Sequence, residues 1–487
     1  MKTAAKAMGN ERTMATTTPK LEKYFEAYEE VRAHGLEREP VWLQQLREDG
    51  WARFSARGFP STHDEDWRFT NLAALAKTPF RRAAKGEFAV SPAQLAPWRV
   101  AGAACQLVFV NGHFAPELSD LGNLPEGLLV CSLAKAIDCG REGCAPEGIE
   151  QHLGRHADMS RDVFTALNTA LWEDGAYLRI HRGVALEQPI HLLYVSAGVG
   201  AEIATHPRTL IIAEDASQAA IIEDYVSLGG EAAFSNAVTE LAAGQNAVIS
   251  HFLVERENLA SFNVSTLRIE QSRSANVDSH SILLGGGLVR NNVHPVLNGE
   301  GAECLINGLF VGAGRQHGAG GQHIDNYMLV EHARPHCNSR QFYNGILADH
   351  ARGVFHGRIV VHKDAQKTDA KQTNRNLLLS DNARIDTKPQ LEIYADDVKC
   401  THGATIGQID EAQLFYLRAR GIAEADARNF LLYAFAAECL DRMKDSAARE
   451  FAEKLIRERL QELVSAVETA APSVVEEEEK QNWEEVG

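Results

Sequence analysis

The stretch that decides the fold is QNAVISHFLVERENLASFNVSTLRIEQSRSANVDSH, Gln245 to His280. Two runs in it, NAVISHFLVE and FNVSTLRIEQS, are rich in β-branched and aromatic residues, and polar segments break them. Such runs read as strands. An alanine follows a polar turn and opens a strand-like run at Ala247, and again at Ala275. The same arrangement recurs at Ala219, Ala302, Ala351 and Ala383. The steps between successive alanines are similar, except that from Ala302 to Ala351, which reads as roughly two coils. A loose repeat made only of strands points to a β-solenoid, with small residues at its tight corners. An ordinary β-sandwich is the rival, but its strands carry turn signals every 8–12 residues and keep no such register.

The strand-like period begins near residue 104, with CQLVFVNGHF, and no sustained helical pattern alternates with it. A βαβ sheet is therefore disfavoured. Before that point the period is helical. KLEKYFEAYEEVRAHG places Leu21, Tyr24, Phe25 and Tyr28 at helical spacing and closes at Gly35. PVWLQQLREDGWARFSARGFP continues the pattern, and DEDWRFTNL follows from Asp64. After Gly407 the helical period returns in three segments. In the first, EAQLFYLRARGI, Leu414, Phe415 and Leu417 share an apolar face and Gly421 is a C-cap candidate. These helices form a bundle or docking platform, or they cap the open end of the solenoid.

The divisions expected are a disordered leader (1–18), an N-terminal helical domain (19–100), a β-helix core (101–405), a C-terminal helical domain (406–470) and an acidic disordered tail (471–487). The tail holds six Glu and one Lys, a solvated composition.

Composition narrows the function. The 487 residues are 45% hydrophobic and 24% charged, ordinary for a globular chain. The net charge of −17 comes without a Lys/Arg cluster, so nucleic acid and anionic membrane are poor partners. No apolar run long enough to span a membrane and no secretory apolar core is present, and a cytoplasmic location is expected. The eight cysteines include no CxxC pair and read as reduced.

Several enzymatic signatures are missing. There is no GxxxxGK[ST] phosphate loop and no GxSxG elbow. GLFVGAGRQHGAGG is glycine-rich but lacks the dinucleotide spacing. A β-helix carbohydrate-active enzyme would need paired carboxylates, and Asp396–Asp397 is the nearest candidate, more in keeping with a solvated turn. Histidines concentrate late, nine of nineteen between His280 and His362. His332, His336 and Cys337 approach ligand spacing, but no helix is read there to bring the two histidines one turn apart, and hydrogen-bonded structural histidines are expected. Cys400 and His402, at i and i+2 in LEIYADDVKCTHGATIG, would share a strand face. Thiolate and imidazole suit zinc and iron, yet two ligands are only half a site. The His402–Gly403 pair suggests a turn, which would put the site near a strand end.

The stretch GVFHGRIVVHKDAQKTDAKQTNRNLLLSDNARIDTKPQLEIYADDVKCTHGATIGQID, Gly353 to Asp410, closely resembles the core signature of the SufB/SufD family of iron–sulfur cluster assembly proteins. The amino-terminal EPVWLQQLREDGWARFSARGFPSTHDEDWRFTNL, Glu39 to Leu72, resembles the SufD side of that family. The resemblance implies a mainly β fold, a right-handed parallel β-helix between N-terminal and C-terminal α-helical regions. It implies a non-catalytic scaffold subunit of a SufBCD complex, with a SufB-type paralogue paired through the β-helices and a SufC-type ABC ATPase bound through the C-terminal helices. Cys400 and His402 match the family's residues at the interface with SufB, where iron or a nascent cluster is held transiently; no permanent cofactor is expected. The ATPase contact maps to Leu414, Phe415, Tyr416, Leu417, Arg420, Gly421 and Phe435. A SufB-like scaffold is the alternative within the family, and the sequence leaves a homodimer open.

Overall fold

The structure is a computed structural model, and it describes residues 21–35, 39–141, 148–198, 200–314 and 321–470. The expected leader and acidic tail lie outside the described residues.

From Gln218 onward, successive strands alternate between two parallel sheets. Sheet A contains Ala233–Ala243, Phe262–Gln271, Leu288–Leu297, His323–His332, Arg352–Val361 and Arg384–Ile393. Sheet B contains Gln218–Leu228, Val248–Arg256, Asn276–Leu283, Glu303–Gly312, Asn338–Leu347, Asp369–Leu378 and Lys399–Gly407. One coil is one strand of each, and coils stack in continuous register. Coil length varies with the turns: Phe262 stacks on Leu288 after a short coil, and Glu303 stacks on Asn338 after a longer one. The chain is therefore the expected parallel β-solenoid.

The corner leading into sheet B explains the alanine repeat. One residue before each strand start, Ser217, Ala247, Ala275, Ala302, Cys337 and Thr368 form a buried column, continued by half-buried Val398. One residue earlier still the backbone is left-handed, at Ala216, Asn246, Ser274, Gly301, His336 and Lys367. Each of those amides donates to a carbonyl of the next coil, as Asn246 does to Arg273 (3.0 Å) and His336 to Gln366 (2.9 Å). The turn is sharp, so its inner residue must be small, and the corner amides join the ladder rather than being left without a partner.

Two details of the repeat differ from the expectation. The step from Ala302 to Ala351 is not two coils. Ala302 stacks on Cys337, a single long coil further on, and Ala351 lies half a coil later at the corner into sheet A, where Ala383 stacks on it. Ala219 sits two positions inside its strand, because Ser217 occupies the corner.

The first end of the solenoid is closed differently. Sheet A ends in Leu128–Ser132, antiparallel to Ala176–Ile180, and sheet B ends in His113–Phe114, antiparallel to Cys105–Val110. Helices Leu133–Arg141, Ile149–His152 and Val163–Leu171 intervene in this region, where strands alone are expected from the sequence. None exceeds nine residues, so each falls short of the 10–15-residue pattern that marks a βαβ crossover.

The helical layers cover the sides of the solenoid. Helices Glu22–Gly35, Val41–Arg57 and Val163–Leu171 join the outer face of sheet A in one core around Phe54, Trp67, Phe164, Phe234 and Leu288. Helices Glu424–Leu440 and Ser446–Ala470 pack Leu432, Ala436, Ile456 and Leu460 on the outer face of sheet B, against Ile222, Phe252, Leu309 and Ile346. Two buried asparagines, Asn307 and Asn344, donate to the carbonyls of Cys439 and Phe435 at 2.9 Å and lock that helix to the sheet. The C-terminal helices therefore do not close the last coil. A flat sheet face rich in aliphatic side chains gives an amphipathic helix far more apolar area than the rim of a coil does.

Candidate functional site

The last coil of the solenoid is open on one side. Its strands, Arg384–Ile393 and Lys399–Gly407, each pair on one side only. The exposure changes with the pairing. In Asp369–Leu378, one coil earlier, Ala370, Gln372, Asn374 and Asn376 point into the lumen and are buried. Their register partners are Cys400, His402, Ala404 and Ile406. The same lumen-facing column is thus opened to solvent: His402, Ala404 and Ile406 are exposed and Cys400 is half-buried against the core.

Register therefore places Cys400 and His402 on one face, as their i, i+2 spacing predicts. The pair does not sit at a turn. The strand runs on through Gly403 to Gly407, so His402 is mid-strand, and the glycine leaves the backbone beside it uncovered. Burial pushes the Cys400 thiol up from its ordinary value, offset in part by a hydrogen bond with the Ala370 backbone. It is a protonated thiol at neutral pH, and a metal would have to displace its proton. No group of three His, Cys, Asp or Glu that could hold a metal occurs among the described residues. Cys400 and His402 are two side chains of ligand type on one face of an open edge.

The other late histidine motif is structural. His336 is a left-handed corner residue and Cys337 fills the corner column. His332 is buried at the end of its strand and hydrogen-bonds Ser339 Oγ at 2.8 Å. Burial takes its pKa down to about 4.

The C-terminal residues divide in two. On helix Glu411–Ala419, Leu414 is buried, so it packs rather than recognises. Phe415 and Tyr416 are 75% and 56% exposed, so Phe415 does not share the buried face of Leu414. Leu417 is half-buried. The Arg420 guanidinium lies 4.6 Å over the Tyr416 ring. Gly421, at φ +86°, ends the helix and donates to Arg418 O. Phe435 is half-buried on the sheet side, beneath the Arg375 guanidinium. Sequence reading missed Phe430, 57% exposed. It is out of phase with the buried positions Ala427, Leu432, Ala436 and Cys439, a signal masked by its setting in the apolar run NFLLYAF.

The lumen also holds polar groups that periodicity did not reveal. Buried Glu223 accepts from Thr239 Oγ1 (2.7 Å) and Tyr225 OH (3.0 Å), and His251 Nε2 lies 3.4 Å away. The two hydroxyls satisfy the carboxylate inside the solenoid core.

Comparison with known proteins gives this geometry a context. The family model for the SUF system FeS cluster assembly SufBD core domain matches residues 195–435, and that for the SufBD protein N-terminal region matches residues 18–192. The iron–sulfur cluster assembly protein SufD of Escherichia coli is 35% identical over 430 residues, covering 88% of this chain and 94% of its own. A SufBD family protein of Synechocystis, slr0076, is 35% identical over 392 residues, with 79% and 84% of the two chains covered. Protein ABCI7, chloroplastic, of Arabidopsis thaliana is 26% identical over 425 residues, with 85% and 86% covered. No helix among the described residues is long and apolar enough to cross a membrane. With both halves of the chain matched and the parallel solenoid in place, the chain belongs to the SufB/SufD family of iron–sulfur cluster assembly proteins, as a SufD-like member.

Proposed function

We propose that this chain is the SufD-like subunit of a cytoplasmic SufBCD complex. In this reading it is a scaffold that pairs with a SufB-type paralogue, docks a SufC-type ATPase and lends Cys400 and His402 to the place where a cluster is built. The observation that carries the reading is the open final coil, whose lumen-facing column holds the thiol and the imidazole. A free parallel edge is a template for pairing with a strand of another chain. Pro389 interrupts the donors of Arg384–Ile393, whereas Lys399–Gly407 has none missing, so sheet B offers the better edge. The partner would then supply the remaining ligands, and iron or a nascent cluster would be held only as cargo. Thiolates are the usual cluster ligands, and neutral imidazole adds a second that tunes the potential. Phe415, Tyr416 and Phe430, each exposed, are the side chains offered to the ATPase, which brings the nucleotide site whose phosphate-loop motif this sequence lacks.

The test is co-expression with SufB-type and SufC-type partners. Cys400→Ala and His402→Ala should leave the complex intact and each reduce cluster formation, followed by its visible absorbance under anaerobic iron and sulfide. Unchanged cluster yield in both variants would remove the metal role.

A further inference from the structure

The N-terminal helical layer encloses a second feature against sheet A. Where Arg57, Trp67 and the segment ahead of helix Val163–Leu171 meet the outer face of the sheet, they border a cleft of about 410 Å³. That is within the small-molecule range of roughly 300–1,000 Å³. Five arginines line it, Arg57, Arg161, Arg268, Arg290 and Arg358, with His294, against two aspartates, Asp66 and Asp162. These residues come from segments widely separated in sequence, so only the packed fold assembles them.

Three of the five are answered within the chain. Arg161 pairs with Asp158 and Glu331, Arg290 with Asp325, and Arg358 with Glu392. Arg57 and Arg268 have no carboxylate at ion-pair distance among the described residues. Arg57 makes only a long 3.4 Å bond to the Ser160 carbonyl. Arg268 is 6% exposed. Its Nη1 meets His294 Nδ1, but its Nε and Nη2 have no hydrogen-bond partner among the described residues, and neither has His294 Nε2. Asp162 and Asp158 are near enough to favour the charge of Arg268, but neither stands at ion-pair distance from it, and the Asp162 carboxylate is turned to Phe164 N (3.0 Å), Thr165 Oγ1 (2.6 Å) and Thr266 Oγ1 (3.2 Å). A buried guanidinium with two idle donors is costly. A fold keeps such a group where something else completes it.

We propose that this cleft binds a phosphate-class oxyanion, with the Arg268 fork as its main donor and Arg57 and His294 beside it. A guanidinium presents parallel N–H groups that match two oxygens of a phosphate, which makes arginine the suited residue for bidentate capture. Trp67 and Tyr327, each with one ring face against the Arg290 guanidinium at 4.4 and 4.7 Å, also line the cleft and would lie beside an organic body attached to the phosphate. This inference is independent of the role given to Cys400 and His402.

Calorimetric titration of the full chain at constant ionic strength tests it, with inorganic phosphate and a nucleoside 5′-monophosphate as the two probes. Saturable binding of at least one probe is expected. Equal affinity for both identifies free phosphate as the source, and tighter nucleotide binding identifies a phosphate on an organic body. Arg268→Met should weaken binding by about tenfold or more, the loss of a charge-assisted pair, and Arg57→Gln should weaken it less. Without probe, Arg268→Met should melt at or above the parent temperature, because it removes a buried guanidinium that has two idle donors and no direct ion pair among the described residues. Binding that survives in Arg268→Met, absence of saturable binding of either probe, or a lowered melting temperature with unchanged affinity would each overturn the proposal.

Discussion

The coil at Asn276–Leu283 and the coil at Lys399–Gly407 follow one register, yet they meet opposite surroundings. In the interior coil every position after the first is buried; in the final coil only Cys400 is even half-buried. Corner geometry and inward alternation are shared. What differs is the neighbour on one side. A solenoid repeats a unit that cannot bury its own faces, and each unit relies on the next. The last unit therefore exposes what interior units hide. In this chain it exposes a thiol, an imidazole, Ile406 and a row of backbone groups without a ladder partner. Interior burial and terminal chemistry arise from the same repeat.

The contrast breaks most visibly at the corners. Ala275→Leu would force a large side chain between Ala247 and Ala302, both fully buried, and should cost about 3 kcal/mol. The equivalent change in the final coil, Val398→Leu, should cost less than about 0.5 kcal/mol. Urea midpoints of the two variants decide it, and equal losses would mean that the last coil is as tightly held as the interior.

The second difference is electrostatic. His332 is held neutral by burial, its pKa down to about 4 from 6.5. Between those values the unfolded chain binds the proton and the folded chain does not. Its contribution is therefore intact above pH 6.5 and lost as the pH falls toward 4, at up to about 1.4 kcal/mol per pH unit. His206 and His280, both taken down to about 3, act in the same direction. Stability measured from neutral pH down to about pH 5 should fall, and His332→Gln should flatten part of that slope. An unchanged slope would show that His332 does not carry it.

The smallest effect on the isolated chain belongs to the edge. Ile406→Arg, at a position 52% exposed, should change stability by less than about 0.5 kcal/mol while preventing capture of a SufB-type partner. Retained capture would move the pairing surface away from this edge.

Much of this was legible beforehand. The period of β-branched runs announced a solenoid, because a coil repeats its burial at nearly fixed steps. The small corner residue was legible at Ala247, Ala275 and Ala302. It was hidden at Cys337 and Thr368, where other small side chains do the same work, and this led to the misread step between Ala302 and Ala351. The face shared by Cys400 and His402 follows from strand alternation alone. By contrast, the turn expected at His402–Gly403 did not form, because the ladder to Asp369–Leu378 extends the strand through the glycine.

The sequence by itself determined the repeat, the helical flanks and the spacing of the thiol and imidazole, all of which depend on residues close together in the chain. Only the tertiary structure decided which helices cover which sheet, which coil is left open, and that Arg57, Arg268 and Arg358 line one cleft. Those outcomes rest on contacts between residues far apart along the chain. Local period carries no record of them, because burial against a distant neighbour is set by packing and not by the order of side chains along one strand.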